Sequence, residues 1–261
     1  MKARMRVGID VGSTTVKVVV LDERGAIVFS RYGRHYARAF ESIRAMLEDV
    51  KRELGNIGLD VAVTGSAGLG LAERCGLPFI QEVVASARLI RERWPEVKTL
   101  IEVGGEDSKV VFFDERFHPD MRMNGSCAGG TGAFIDQMAT LLGVSISEFD
   151  CLAAASTGRH TIASRCGVFA KTDVQSLLSN HVPKEDIAAS VFHAVALQVA
   201  ATLFRGAKVR EKVLFAGGPL SFFPQLRRAF ADVLGLDECG AIVQTEHPEL
   251  IAAIGAALCH G

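Results

Sequence analysis

The sequence lacks several features that would reveal a function directly. None of its six cysteines forms a CxxC pair, which argues against a zinc ribbon. The GxxxxGK[ST] pattern of Walker-type nucleotide sites is also missing. With one Trp and two Tyr among 261 residues, no basic and aromatic surface for stacking nucleic-acid bases stands out. The chemistry must therefore be sought in less common motifs.

The net charge of the chain is small, and its apolar runs are short. A net charge of −1 gives no general attraction to nucleic acid or to an anionic membrane. The longest apolar run, residues 191–204, contains His193 and Gln198 and is too short to span a bilayer. The basic N-terminus leads into a strand pattern rather than a secretory signal. We expect a cytoplasmic protein with no nucleic-acid or membrane partner and no structural disulfides.

What is present is the profile of a mixed α/β protein. Residues 1–115 read as strands interspersed with helices, and this part is expected to form an N-terminal domain. Residues 116–245 are mostly helical and are expected to form a second domain. The alanine-rich helix at about 245–261 is a candidate further member of the first domain.

The first chemical motif is the turn within residues 10–17. A hairpin of small residues offers backbone N–H and hydroxyl groups to a phosphate. Asp10, at the end of a buried strand, can bind Mg²⁺ through water, and Lys17 can add a charge near the phosphates. The alternative is an ordinary hairpin. The residues assigned to phosphate binding are Gly12, Ser13, Thr14, Thr15 and Lys17.

Two further glycine turns follow strands. Residues 102–109 repeat the design, with a carboxylate able to position Mg²⁺ or an attacking water. Residues 215–220 suit a loop on whose backbone an adenine ring lies. The second turn contributes Glu102, Gly104, Gly105, Glu106, Asp107 and Lys109, and the third contributes Gly217 and Gly218. The candidate catalytic carboxylates are Asp10, Glu102, Glu106 and Asp107.

Three such turns in this order resemble the acetate kinase, sugar kinase, Hsp70 and actin superfamily. That resemblance implies an α/β fold of two ribonuclease-H-like domains with an ATP cleft between them. It also implies ATP and Mg²⁺ as ligands.

Two cysteines lie in glycine-flanked loops that open helices, Cys127 and Cys166. A cysteine at a helix N-terminus forms a thiolate more readily than usual. A [4Fe–4S] cluster needs four thiolates, which two chains related by a two-fold axis can supply. The alternative is that both are buried free thiols. The other cysteines read as core or incidental, with Cys151 and Cys259 assigned to the core.

The chain resembles the ATP-dependent activators of 2-hydroxyacyl-CoA dehydratases, the BadF/BadG/BcrA/BcrD ATPase family, which includes the ATPase subunits of benzoyl-CoA reductase. The matching segments are GIDVGSTTVKVVVLD (8–22), VGGEDSKV (103–110), MNGSCAGGTGAFIDQMA (123–139), SRCGVFAKTDVQSLL (164–178), FAGG (215–218) and AAIGAAL (252–258).

This resemblance implies a homodimer with one bridging [4Fe–4S] cluster, held by Cys127 and Cys166 of each chain. It implies an ATP-hydrolysing electron carrier. Ferredoxin or flavodoxin is the implied donor, and an iron–sulfur dehydratase or reductase is the implied acceptor. A change in the angle between the Cys127-headed helices on ATP binding is the implied gating step.

The sequence departs from the family pattern at two places. Glu102 and Glu106 stand where members often carry Asp and Gln, which concerns metal binding and hydrolysis rather than ATP binding. The loop at residues 65–70 lacks the Tyr-Gly-Arg of some members. The rival functions are a small-molecule kinase and a non-redox nucleotide switch of the same superfamily.

Overall fold

The computed structural model of the protein describes residues 4–124, 128–164, 166–210, 212–237 and 240–259. The chain divides into two compact units. The first unit comprises Met1–Val97, Asp114–Pro119 and His247–Gly261, and the second comprises Lys98–Phe113 and Asp120–Glu246.

A four-stranded sheet forms the centre of the first unit. Its spatial order is β3-β2-β1-β4, with β1, β2 and β3 antiparallel and β4 parallel to β1. The β-branched residues of β1 and β2 are almost wholly buried, because helices cover the sheet. The strands are β1 (Arg4–Val11), β2 (Thr15–Leu21), β3 (Ile27–Arg34) and β4 (Gly58–Thr64).

The described residues of the first unit form the α-helices α1 (Ala39–Leu54), α2 (Leu69–Cys75), α3 (Glu82–Arg93) and α10 (Ile251–Cys259). The C-terminal helix α10 packs on β1 and α3. Two glycines make this close approach possible. A Cβ at Gly8 would collide with the Ala253 carbonyl oxygen, and a Cβ at Gly255 would collide with that of Ala85. The alanine and glycine composition of α10 therefore reflects backbone-to-backbone packing.

A five-stranded sheet forms the centre of the second unit, in the order β7-β6-β5-β8-β9. Strand β6 is antiparallel to β5, and β8 is parallel to both β5 and β9. The strands are β5 (Thr99–Val103), β6 (Ser108–Phe113), β7 (Pro119–Asn124), β8 (Val213–Ala216) and β9 (Ile242–Val243). Each unit thus begins with an antiparallel hairpin beside a parallel strand.

The α-helices of the second unit, within the part that the structure describes, are α4 (Gly132–Leu142), α5 (Ile146–Ala154), α6 (Gly167–Ser179), α7 (Lys184–Val199), α8 (Gly218–Phe222) and α9 (Pro224–Leu234). Helix α7 continues as a π-helix over Ala200–Phe204. The span Lys184–Phe204 is long and apolar enough to cross a membrane, but 67% of its most apolar window is buried within the protein. Its apolar composition is explained by its place in the core of the second unit.

Buried Asp186 ties the start of α7 to the turn after α5. Its Oδ1 accepts hydrogen bonds from the Gly158 amide (2.8 Å), the Ser156 hydroxyl (2.9 Å) and the Thr157 amide (2.9 Å). These bonds hold the pKa of Asp186 below its usual value, because they favour the charged carboxylate.

The predicted fold class, α/β with two sheet-based domains, is confirmed. The division of the chain differs from the predicted boundary after residue 115. Strands β5 and β6 belong to the second unit, because β5 pairs with β8 through residues Thr99–Glu102 and Val213–Ala216. The C-terminal helix lies in the first unit.

Candidate functional site

The hairpin between β1 and β2 is the first of the three predicted phosphate-binding turns. The Gly12 amide donates to the Thr15 carbonyl at 2.9 Å, which closes the turn. Asp10 and Lys17 are cross-strand partners, and Lys17 Nζ lies 2.9 Å from Asp10 Oδ2. Lys17 therefore points towards Asp10. Ser13 and Thr14 lie half-buried at the tip of this turn.

Asp10 is 4% exposed, and its Oδ1 has no hydrogen-bond partner among the residues that the structure describes. A buried carboxylate oxygen without a partner is costly. Carboxylate oxygens are also ligands that Mg²⁺ accepts, directly or through its water shell. The donor set at this strand end thus fits a hydrated divalent cation.

His35, which no sequence motif singled out, anchors the first turn. Its Nδ1 accepts from the Ala37 amide at 3.1 Å, so the proton is on Nε2, which donates to the Gly12 carbonyl at 3.2 Å. Tyr36 and Ala37 hold positive φ angles of 46° and 62°. Non-glycine residues adopt such angles when their surroundings fix them. A lone histidine after a strand carries no spacing signal that would have identified it.

The hairpin between β5 and β6 is the second predicted turn. Glu102 and Lys109 are cross-strand partners, like Asp10 and Lys17 in the first hairpin. Lys109 Nζ lies 3.6 Å from Glu102 Oε1 and 3.2 Å from Asp107 Oδ2. The two hairpins therefore carry the same arrangement, an acid facing a lysine seven residues later.

The four predicted carboxylates of the two hairpins differ in exposure. Asp10 is buried, Glu102 and Asp107 are half-buried, and Glu106 is exposed at the turn. The Gly104 amide donates to the Asp107 carbonyl at 2.9 Å, and a Cβ at Gly104 would collide with Asp107 Oδ1. Asp107 therefore shapes the turn, while Glu106 is the carboxylate open to a ligand or solvent.

The third predicted turn lies beside the second hairpin. Gly217 follows β8 with a φ of 85°, and a Cβ there would collide with the Val103 carbonyl oxygen. Gly218 then opens α8. Glycine is required at position 217 because the ends of β5 and β8 approach each other there.

Cys127, together with Gly125 and Ser126, lies outside the described residues. The segment that follows it contacts the second hairpin. The Gly132 amide donates to the Gly104 carbonyl at 2.9 Å, and the Ala133 amide donates to the Gly105 carbonyl at 2.8 Å. The Ser108 hydroxyl also donates to the Gly130 carbonyl. A Cβ at Gly132 would further lie 3.0 Å from Pro219 Cγ.

Helix α4, which follows the Cys127 segment, thus begins directly against two of the predicted nucleotide turns. These contacts were not among the sequence-based expectations. Gly132 contacts Gly104, about 28 positions earlier, and lies near Pro219, about 87 positions later. Local sequence patterns carry no information about such pairings.

Cys166 immediately precedes α6 as a half-buried free thiol. The next residue, Gly167, lies near the Cys127 segment, since a Cβ there would be 3.7 Å from the Gly129 amide nitrogen. Val168 and Phe169 follow in the first turn of α6 and are 72% and 67% exposed. The structure therefore places the start of α6 close to Gly129, beside exposed apolar side chains.

The remaining described cysteines lie elsewhere. Cys75 and Cys151 are exposed, so the assignment of Cys151 to the core is wrong: it is on the solvent side of α5. Cys259 is half-buried, and burial raises its pKa. Within the described ranges, no group of three or more His, Cys, Asp or Glu side chains is arranged to hold a metal ion.

Known proteins share both the sequence pattern and this geometry. The family model of the BadF/BadG/BcrA/BcrD ATPases matches residues 7–259. The (R)-2-hydroxyglutaryl-CoA dehydratase activating ATPase of Acidaminococcus fermentans is 34% identical over an alignment of 258 positions, which covers 96% of this chain and 95% of that protein.

Two solved structures resemble the chain over almost its whole length. The activator of the 2-hydroxyisocaproyl-CoA dehydratase from Clostridium difficile, with bound ADPNP, has a TM-score of 0.84 at 30% identity and covers 98% of this chain and 94% of its own. Component A of the (R)-2-hydroxyglutaryl-CoA dehydratase from Acidaminococcus fermentans has a TM-score of 0.86 at 30% identity, with coverages of 98% and 97%.

Proposed function

Because this chain belongs to the BadF/BadG/BcrA/BcrD ATPase family, we propose that it is an ATP-hydrolysing iron–sulfur activator. It transfers a low-potential electron to a 2-hydroxyacyl-CoA dehydratase or a related CoA-substrate reductase. The family resemblance found in the sequence is confirmed by the match over residues 7–259. The electron transfer, the cluster and the dimer are the proposed part.

One observation carries this proposal. Helix α4, which follows the Cys127 segment, is hydrogen-bonded at its first turn to the carbonyl groups of Gly104 and Gly105. A turn that responds to the terminal phosphate of ATP would therefore act on the backbone that leads to Cys127. A kinase or a simple nucleotide switch offers no reason for a cysteine segment to be attached to this turn.

ATP and Mg²⁺ are held by the three turns. The amides and hydroxyls of Ser13, Thr14 and Thr15 bind phosphate oxygens, and Gly12 leaves room for them because it has no side chain. Gly217 and Gly218 lie under the adenosine. Lys17 and Lys109 supply positive charge for the phosphates. Asp10 and Glu102 bind the water shell of Mg²⁺.

Hydrolysis breaks the bond between the terminal phosphorus and the bridging oxygen and forms one to the oxygen of water. The role of the protein is to orient that water and to neutralise the developing charge. We assign to Glu106, which is exposed at the second turn, the role of accepting a hydrogen bond from that water. Glu102 lies near Lys109, and we assign its carboxylate to the Mg²⁺ and phosphate region.

A [4Fe–4S] cluster would be held by Cys127 and Cys166 of each of two chains in a homodimer. One of these two cysteines is described, and it is suited to this role: Cys166 is a half-buried free thiol immediately before α6, and the next residue, Gly167, lies near Gly129. When bound, the cluster supplies one-electron chemistry at low potential. Ferredoxin or flavodoxin is the donor class, and an iron–sulfur dehydratase or reductase is the acceptor.

ATP gates the transfer if it binds one conformation better than the other, since equal affinity shifts no equilibrium. The Gly104–Gly132 and Gly105–Ala133 hydrogen bonds provide the path within the second unit. From this chemistry we infer that the protein acts in the cytoplasm of an anaerobically growing cell.

Anaerobic purification tests the proposal. The wild-type protein should be brown and contain about four iron atoms per two chains. Cys127→Ser and Cys166→Ser should lose the iron, whereas Cys151→Ser, which changes an exposed cysteine on α5, should keep it. The iron-free variants should still bind ATP, because the nucleotide turns are unchanged.

The contradictory results are equally specific. Colourless wild-type protein after anaerobic reconstitution, with unchanged ATP hydrolysis, would refute the redox function and favour a nucleotide switch. ATP-dependent phosphorylation of a small alcohol would favour the kinase instead.

A further inference from the structure

Two buried polar atoms lie together at the end of the first sheet. Asp10 Oδ1 and Thr64 Oγ1 both lack a hydrogen-bond partner within the described part of the chain. Asp10 is 4% exposed and Thr64 is 0% exposed. Buried polar side-chain atoms in native proteins are normally paired, so two such atoms in neighbouring positions need an explanation.

Strand register makes these two residues neighbours. Asp10 on β1 and Thr64 on β4 are paired in the parallel ladder, at the carboxyl ends of both strands. Paired residues of adjacent parallel strands direct their side chains to the same face of a sheet. The two polar groups therefore share one face, one strand spacing apart.

The chain after Thr64 wraps closely around the carboxylate. Gly65 has a φ of 96°, and a Cβ there would collide with Asp10 Oδ1 and with the Val11 carbonyl oxygen. The Ala67 amide donates to that carbonyl oxygen at 2.9 Å. This loop fixes the position of the Thr64 hydroxyl relative to Asp10.

The other carboxylate oxygen is already engaged. Lys17 Nζ lies 2.9 Å from Asp10 Oδ2, and the carboxylate is oriented by that ion pair. A phosphate group bound at the first turn would compete with Asp10 for the Lys17 ammonium group, because phosphate carries more negative charge. Release of Lys17 would free the carboxylate to rotate.

We propose that Thr64 is a positioning residue for Asp10 in the nucleotide-bound protein. When phosphate takes Lys17, the Asp10 carboxylate rotates and its Oδ1 accepts a hydrogen bond from the Thr64 hydroxyl. The other oxygen then faces the water shell of the Mg²⁺ that accompanies ATP. This inference rests on the proposed binding of Mg²⁺ and ATP at the first turn, but not on the iron–sulfur chemistry.

Removal of the Thr64 hydroxyl should therefore affect the stability of the fold and the binding of nucleotide differently. In the nucleotide-free protein the hydroxyl is buried and unpaired, so removing it should not destabilise the fold. In the bound protein it holds a charged group, so removing it should weaken binding. A hydroxyl with a purely structural role would give the opposite pattern.

Thr64→Val tests this, because valine keeps the shape and removes only the hydroxyl group. Thermal unfolding of the nucleotide-free variant should occur at the wild-type temperature or above it. Isothermal titration with ADPNP and Mg²⁺ should show about tenfold weaker binding than wild type. Thr64→Ser, which keeps the hydroxyl, should bind ADPNP and Mg²⁺ like wild type.

Several outcomes would overturn the inference. A lower unfolding temperature for Thr64→Val with unchanged Mg²⁺-dependent affinity would show that the hydroxyl is structural. If Thr64→Val does not fold, Thr64→Ala gives the binding comparison, and unchanged affinity there refutes the inference. If the wild-type protein itself does not bind ADPNP and Mg²⁺, the proposed function is refuted, and the role of Thr64, which depends on it, is refuted as well.

Discussion

The Gly132 amide donates a hydrogen bond of 2.9 Å to the Gly104 carbonyl oxygen. This bond joins the first turn of α4 to the turn between β5 and β6. Glycine is suited to position 132 because a Cβ there would lie 3.2 Å from the same carbonyl oxygen and 3.0 Å from Pro219 Cγ. The start of α4 is therefore sensitive to displacement of the second turn.

Replacing Gly132 with alanine should loosen this contact. Alanine in a helix normally gains about 0.5–1 kcal/mol over glycine, but here the close neighbours should cancel that gain. Hydrogen exchange of the α4 amides, with and without ADPNP, should show that the nucleotide-dependent protection of the first turn is lost in Gly132→Ala.

Gly70→Ala is the matched control, because Gly70 lies in α2 and a Cβ added there would meet no heavy atom within 4 Å. It should gain the full helix-propensity benefit and leave the exchange of α4 unchanged. Equal stabilisation by both substitutions, with protection of α4 intact, would contradict a coupling role for Gly132.

Loss of the His35 side chain should weaken nucleotide binding. His35→Phe removes the hydrogen bond to the Gly12 carbonyl and the acceptor for the Ala37 amide. We expect about tenfold weaker ADPNP binding by titration, because the first turn loses its anchor. His118→Phe changes an exposed histidine and should bind ADPNP normally; equal affinity of both variants would exclude the anchoring role.

Gly217→Ala should be strongly destabilising. Its Cβ would collide with the Val103 carbonyl oxygen, so the ends of β5 and β8 must separate, and we expect a loss of about 2–4 kcal/mol in urea unfolding. Gly235→Ala places alanine at a φ of 64° with no close neighbour and should lose only about 1 kcal/mol. If Gly217→Ala and Gly235→Ala lose similar free energies of unfolding, the positive φ angle, and not the collision with Val103, would explain why glycine is required at position 217.

The stability contributed by Asp186 should depend on pH. Its pKa is lowered in the folded protein by hydrogen bonds, chiefly that from the Gly158 amide. The contribution is therefore present above the ordinary pKa of 3.8 for an unfolded aspartate and is lost as the pH falls through the lower folded value.

Asp186→Asn should accordingly unfold more easily than wild type at pH 7, and the difference should shrink as the pH falls below about 4. Glu185→Gln, one residue earlier in the first turn of α7, controls for the loss of a negative charge at a helix N-terminus. A pH-independent difference for Asp186→Asn would show that packing rather than charge accounts for the effect.

Local patterns predicted the two hairpins well. Short runs of Gly, Ser and Thr between β-branched segments locate the turns at Gly12 and Gly104, and both occur as expected. The apolar pattern of residues 219–234 predicts a single helix. The structure has two, α8 and α9, separated at Phe223, because Pro224 lacks the amide hydrogen that a continuous helix needs. That signal was present in the sequence.

Long-range pairing was not predictable in the same way. Strand β5 was assigned with the strands that precede it, but it pairs with β8, more than 100 residues later. The short strands β7 and β9 and helix α2 carry too few residues for a periodic pattern to emerge. Cys151 was assigned to the core because an alanine-rich helix does not reveal which face is buried.

The role of Cys127 remains a prediction, since that residue lies outside the described part of the chain. What the structure adds is its setting. Among the glycines that follow it, Gly132 lies against the second turn and the Pro219 ring. The sequence located the motif, but only three-dimensional pairing identified what its last glycine touches.

The packing of α10 has a consequence for the order of folding during synthesis. Strand β1 is synthesised before the second unit, yet its Gly8 packs against Ala253, which is synthesised after that unit. The residues of the second unit all emerge before α10 does. The second unit can therefore assemble on the ribosome while the sheet of the first unit still has an apolar face exposed.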